Sequence, residues 1–298
     1  MTSNVRCCVP SVWTPTPTDL AIVNSAGTQT HLDPEESLPR ATMTTMTLVV
    51  AAIHDESRIT MAADTLVTWD DGVRRPPQDS SLAKLAILRS DLAVGVTGCD
   101  PHGRLRDVIA LRDEPVDVVL EQLKDDTVAG FVVAALGPAR LWEVRSGAAY
   151  DRTAHQMAWD GEPEAYKEFN KRFTNEWVNT SAANDVPFRV MTAMQALTSF
   201  GLVSTVGGIT LRVGTTDRGF RFVPDRGFAL GGSAWLILVG NDPTPGAIGI
   251  LDVRLGLGQL FPHHAPDDPI TVRTTNPSAF VSMAHDHGQT VEYVAWPG

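Results

Sequence analysis

Cysteine is scarce in this chain of 298 residues, with three in all: Cys7, Cys8 and Cys99. An adjacent pair and one distant residue cannot build a disulfide framework, and no C-x-x-C pair offers a zinc-type ligand set. A reducing compartment, the cytoplasm, is therefore expected. Basic side chains are also in deficit: 24 Lys and Arg against 35 Asp and Glu leave a formal net charge of −11. Nucleic acid and anionic membranes both require a basic surface, so neither is expected as a partner. No apolar run reaches the roughly 18 residues that suggest a membrane span. The first residues lack the sustained apolar region of a secretory signal. The pair Gly231-Gly232 is not a phosphate loop, because the GxxxxGK[ST] spacing is missing. His263-His264 with Asp267-Asp268, and His285-Asp286-His287, carry ligand-type side chains. Neighbouring histidines on a strand or loop point to different sides, however, and no metal or cofactor is expected.

What is present is apolar sequence cut into short lengths. Hydrophobic residues make up 43% of the chain, enough for a substantial core. Residues 1–46 are the exception: Pro, Thr and Ser clusters with brief apolar patches read as a disordered leader. Beyond them, TLVVAAI (47–53), RITMAAD (58–64), LAKLAIL (82–88) and LAVGVTG (92–98) read as strands, with the polar HDES at 54–57 as a hairpin loop. Residues 65–81, with Gly72 and paired prolines, read as a loop in which Trp69 is partly buried. Asp100 to Asp126 reads as two helical pieces split near Pro115, followed by strands at 129–136 and 140–144 joined by a Gly-Pro turn. A short strand near 156–159, helices over about 162–177 and 187–200, and the strands ITLRVGT and GFRFV complete the first 225 residues. The tail, 226–298, reads as β-rich, from FALGGSAWLILVG, ITVRTT and TVEYVAW.

The stretch from Thr47 to Gly98 holds the chemistry. Thr47-Leu-Val-Val opens a strand covered on both faces, Ala62-Ala63-Asp64-Thr65 ends the next on a carboxylate, and Gly95-Val-Thr97-Gly98 closes another on a glycine turn. Lys84 stands alone among apolar neighbours, where a buried ammonium needs a carboxylate partner, and Asp64 is the obvious one. In this order these features resemble proteasome β-type subunits and their bacterial relatives, of the N-terminal-nucleophile (Ntn) hydrolase class. The resemblance implies an α+β fold, a four-layer αββα sandwich over 47–225, with the β-rich 226–298 as an extension. It implies that Thr47, as the first residue of the mature chain, attacks an amide carbonyl, supported by Asp64 and Lys84, while the backbone N–H at Gly98 receives the oxyanion. A threonine hydroxyl needs a base, and a free α-amine, with a pKa of about 7.7–8.0, can serve.

The scheme requires a free amine on Thr47, which 46 residues precede. Met46 stands where self-processing members of the resembled family carry glycine, so the expectation is translation from Met46 with removal of that methionine. A cleaved propeptide is the other route, and a start at Met43 would leave Thr44, too far upstream for the strand register. The family's supporting serine in a Gly-Ser-Gly turn aligns with Asp160 of Trp159-Asp160-Gly161. Its aspartate and serine ahead of Gly207-Gly208 fall on Val203 and Val206, with Ser204 or Thr205 as substitutes after a register shift. The implied function is a threonine-type hydrolase of peptides or small amides, a homo-oligomer with an unfoldase ATPase as a further partner. The alternative is a catalytically silent assembly or binding subunit of the same fold. A small-molecule amidase or acyltransferase is a third option. The blander account reads Asp64 and Lys84 as a structural ion pair and Thr47 as a strand-start residue.

Overall fold

The structure is a computed structural model that describes residues 47–67, 82–174, 185–223, 235–240 and 247–295, except 254, 264 and 267. The leader, Trp69 and most of its loop, Gly231-Gly232, His264 and Asp267 lie outside the described residues. In chain order, β1 (Leu48–Asp55), β2 (Arg58–Asp64), β3 (Leu85–Arg89) and β4 (Leu92–Gly98) lead to helices α1 (Pro101–Ala110) and α2 (Val116–Lys124). Then come β5 (Ala129–Ala135), β6 (Arg140–Arg145), β7 (Ala148–Asp151) and β8 (Met157–Gly161), followed by α3 (Pro163–Phe173) and α4 (Val186–Phe200). The remainder is β9 (Thr210–Thr216), β10 (Gly219–Phe222), β11 (Trp235–Gly240), β12 (Ala247–Asp252), β13 (Leu257–Pro262), β14 (Ile270–Arg273), α5 (Pro277–Asp286) and β15 (Val291–Ala295). Among the described residues the fold is mixed α and β, with five helices and three antiparallel sheets.

The first sheet runs β10-β9-β2-β1-β8 and the second β3-β4-β5-β6-β7. β1 is buried from Leu48 to Ile53, and its alternation serves two different neighbours. Val49, Ala51 and Ile53 join Leu85, Ile87, Val132 and Leu141 of the second sheet in one apolar cluster. Leu48, Val50 and Ala52 turn the other way, toward Ala165 and Phe169 of α3 and Val190, Met194 and Leu197 of α4. The outer side of the second sheet packs Val94, Val96 and Val133 against Leu105 and Val108 of α1 and Val119 and Leu123 of α2.

Proline sets the helix starts. It occupies one of the first two positions of α1, α3, α4 and α5 and the N-cap of α2. There the missing N–H would have had no intrahelical partner anyway. Side chains complete several caps: Asp100 accepts from Gly103 N (3.2 Å) and Asn276 from Ser278 N (2.9 Å). Gly201 ends α4 at φ 59°, the left-handed geometry of a C-terminal cap.

The hairpin between β1 and β2 is tighter than expected. His54 and Asp55 belong to β1, leaving Glu56 and Ser57 as the turn. Asp55 closes it by accepting from Ser57 N (3.0 Å) and from Arg58 (2.7 Å), so its polar residues serve the turn while remaining in the strand. Trp159-Asp160-Gly161, aligned above with a turn, is instead the end of β8, paired with Val50, Val49 and Leu48 of β1.

The C-terminal extension forms the third sheet, β14-β13-β12-β11-β15. Its strands alternate between two environments: Ile248, Ile250 and Phe261 belong to the cluster between the first two sheets, whereas Ala247, Leu251 and Leu260 pack under Phe280 and Ala284 of α5. Phe280 is fully buried and lies so close to Gly258 that a Cβ there would come within 2.6 Å of its ring. Phe280→Ala is expected to cost about 3–5 kcal/mol, as for a large buried aromatic, read as a lower denaturant midpoint. An unchanged midpoint would mean that α5 adds nothing to the global stability.

Candidate functional site

Strand pairing brings the three side chains together. Thr47 immediately precedes β1, and the antiparallel register of Val49 with Ala63 sets Asp64, the last residue of β2, beside Leu48. The chain re-enters toward β3 with Leu82 N donating to Thr65 O (2.9 Å), and Lys84 O then accepts from Val96 N of β4 (2.9 Å). Lys84 is thus carried from the second sheet to the end of the first. Thr47, Asp64 and Lys84 are 3%, 0% and 2% exposed.

The hydroxyl of Thr47 donates to Asp64 Oδ1 and accepts from Lys84 Nζ at 2.6 Å. Lys84 spends its remaining hydrogens on Asp64, at 3.1 and 3.0 Å to the two oxygens, and on Leu66 O at 2.5 Å. Every hydrogen of the ammonium therefore has an acceptor. Burial pulls the pKa of Lys84 below the usual lysine value, more than the neighbouring Asp64 carboxylate raises it.

Asp64 also accepts from three backbone amides, Leu48 N (3.1 Å), Leu66 N (3.2 Å) and Gly207 N (3.3 Å). A carboxylate offers about four lone-pair sites. The donors around Asp64 fill them, so this group holds Lys84 and Thr47 in place. The arrangement sets an ammonium and a carboxylate on the threonine oxygen at once.

The carbonyl of Thr47 is held as well. Glu162 N donates to it at 2.8 Å, and Gly161, at φ 119°, passes so close that a Cβ would collide with that oxygen. Only glycine fits, for both reasons.

Gly98, the expected oxyanion donor, ends β4 at φ 92° and pairs with Ala129. It stands two residues beyond Val96, the partner of the Lys84 carbonyl. Val206 is buried under α3 and α4, and Val203, whose carbonyl accepts from Val206 N (3.1 Å), packs beside it. Both are core residues with no polar group to offer. Ser204 is exposed, and Thr205 has a buried hydroxyl without a hydrogen-bond partner. The part of that segment that does reach the site is the backbone N–H of Gly207.

Asp160 bonds away from Thr47, to Thr97. The reason is its strand position: Asp160 pairs with Val49, which faces the second sheet. His285 and Asp286 end α5, and His287 follows with Nδ1 2.8 Å from Met283 O.

Sequence reasoning missed the Leu66 carbonyl, the Leu66 and Gly207 amides, the Gly161 contact and Thr97. Four of these five act through the backbone, which residue type does not reveal. The one visible signal was glycine: Gly161 and Gly207-Gly208 stand where main chain approaches main chain closely. No family model matches the chain, and no curated protein matches it either.

Proposed function

We propose that this chain is a threonine-type amide or peptide hydrolase of the Ntn class, with Thr47 as nucleophile. The observation that carries the reading is the bond pattern at Thr47 Oγ1, which donates to Asp64 and accepts from a buried lysine at 2.6 Å. The order of layers supports the αββα sandwich of that class: apolar clusters link α3 and α4 to the first sheet, the first sheet to the second, and the second to α1 and α2.

In this scheme the Thr47 oxygen attacks the substrate carbonyl carbon and passes its proton to the α-amine of Thr47, once Thr47 is the first residue. Lys84 remains beside the oxygen and stabilises its growing negative charge. The Gly98 N–H meets the carbonyl oxygen as it becomes an oxyanion. The C–N bond then breaks, the amine's proton goes to the leaving nitrogen, and an ester on Thr47 is left for water to hydrolyse. The α-amine, carried by the same residue as the attacking oxygen, is the base of this scheme.

A second reading, a catalytically silent subunit, is favoured by the 3% exposure of Thr47. In the intact chain its nitrogen is also an amide, which cannot act as the base.

Intact mass with N-terminal sequencing, followed by hydrolysis of fluorogenic peptides and small amides, separates the two readings. A mature chain beginning at Thr47, with turnover abolished in Thr47→Ala, is the expected outcome. A soluble chain that retains residues 1–46 and turns over none of these substrates would establish the silent subunit.

A further inference from the structure

Deeper in the same region, Thr97 Oγ1 lies within hydrogen-bonding reach of two oxygens, Asp160 Oδ2 and Gly130 O, the latter at 3.1 Å. A hydroxyl has one hydrogen and can aim it squarely at only one of them. If Asp160 were ionised, these two close oxygen pairs would have to share that single hydrogen in a weaker, bent arrangement. If Asp160 carries a proton, it donates to Thr97, Thr97 donates to Gly130, and each pair is satisfied.

The surroundings agree with the protonated form. Asp160 is 7% exposed and fills the space that Gly130 leaves by lacking a side chain, since a Cβ there would overlap its carboxyl. The charged groups that face it come from β6. Arg145 lowers its pKa and Glu143 raises it, while the bonds to Thr97 and to the Gly161 amide also lower it. Burial outweighs these and raises the Asp160 pKa above the usual carboxylate value. The nearby positive charge is claimed by Glu143, which is ion-paired with Arg152 at 2.8 Å and Arg145 at 3.7 Å. Glu143 also accepts from Trp159 N at 3.1 Å, so it ties β8 to the second sheet as an anion.

The strand carrying Asp160 continues into Gly161 and Glu162, which hold the Thr47 carbonyl. Thr97 immediately precedes Gly98. We propose that Asp160 is a neutral positioning residue, whose carboxyl proton, donated to Thr97, locks the β8 clamp on Thr47 to the β4 end that carries Gly98. This inference rests on the hydrolase reading above. It assigns Asp160 a bond to the oxyanion side of the site rather than direct support of Thr47.

The test uses the protein matured to begin at Thr47, its first residue verified by N-terminal sequencing, and the Asp160→Asn, Asp160→Ala and Thr97→Val variants of that protein. An Asp whose folded-state pKa is raised holds its proton after the unfolded chain has released it, so it loses stabilising effect as pH rises above about 4. The melting temperature of the wild type should therefore fall relative to that of Asp160→Asn as pH is raised from about 4. A rise relative to that variant over the same range would mean an ionised Asp160 and overturn the proposal. In kinetics, Asp160→Ala should lower kcat by about 10²-fold with KM retained, the scale of a small misplacement of reacting groups. Asp160→Asn, whose amide N–H can replace the lost donor, should restore most of that loss. Thr97→Val should mimic Asp160→Ala, and the double variant should be no worse than either single one. Equal losses in the Asn and Ala variants would refute the positioning role. Absence of any hydrolysis by a wild type that begins at Thr47 would refute the hydrolase reading and the positioning role with it. The melting-temperature comparison would still decide whether Asp160 is neutral.

Discussion

Lys84→Met is expected to destabilise the fold by about 3–5 kcal/mol, because it removes one partner from a buried ion pair and strands the other. Asp64 is fully buried, and its side chain meets the lysine at 3.0 Å. Methionine matches the lysine stem in length and apolar character, so the loss reports the charge and its hydrogen bonds rather than a cavity. Asp64→Asn combined with Lys84→Met should recover part of the stability, since a neutral amide buried without a cation costs less than a carboxylate. Denaturant midpoints of the two single variants and the double variant provide the check. A midpoint unchanged in Lys84→Met would show that the ammonium does not occupy the position described. Under the proposed function the same substitution also removes the cation beside Thr47 Oγ1. Turnover should then fall by at least the about 10²–10³-fold that loss of one stabiliser of developing negative charge costs.

Gly161→Ala should be the most damaging methyl addition near Thr47. Two penalties coincide there. The backbone sits at φ 119°, a region that costs an L-residue about 1–3 kcal/mol. The new Cβ would in addition overlap the Thr47 carbonyl oxygen and approach Leu48 Cα to 3.1 Å. Neither contact is the far end of a flexible side chain, so backbone must move, and the nearest backbone is that of Thr47. Gly201→Ala isolates the first penalty: φ is 59° and a Cβ there meets nothing within 4 Å. The expectation is that Gly201→Ala lowers stability modestly and leaves turnover intact, whereas Gly161→Ala lowers both, with the loss of turnover mainly in kcat. Similar behaviour of the two variants would remove Gly161 from the account of the site.

Much of the architecture was legible in local sequence because burial patterns are local. Almost unbroken apolar runs at 47–53 and 92–98 mark strands covered on both sides, and Pro115 marks the gap between the two helices that follow β4. β7 escaped notice: AAYD is short, and its residues are intermediate or exposed, so it lacks an apolar signature. β12, β13 and α5 were also missed. The small residues and glycines of AIGILD and LGQLFP weaken any strand signal, and those strands are buried because α5 covers one side and the apolar cluster shared with the first two sheets covers the other.

The candidate site divides along the same line. Asp64 and Lys84 were identifiable because a lone charge among apolar residues needs a partner, a consequence of solvation, whereas Thr47 was carried only by the resemblance in the order of motifs. Two things that sequence spacing could not supply were decided by the tertiary structure: the pairing register and the direction in which each backbone amide points. Register sent Asp160 toward Thr97 instead of Thr47, because a side chain on a strand faces one side only and Val49, its partner, faces the second sheet. Close packing of main chain on main chain brought the Gly207 amide to Asp64 and the Glu162 amide to the Thr47 carbonyl. Every residue but proline carries an N–H, so residue identity determines which groups need partners, and only the folded path determines which amides reach them.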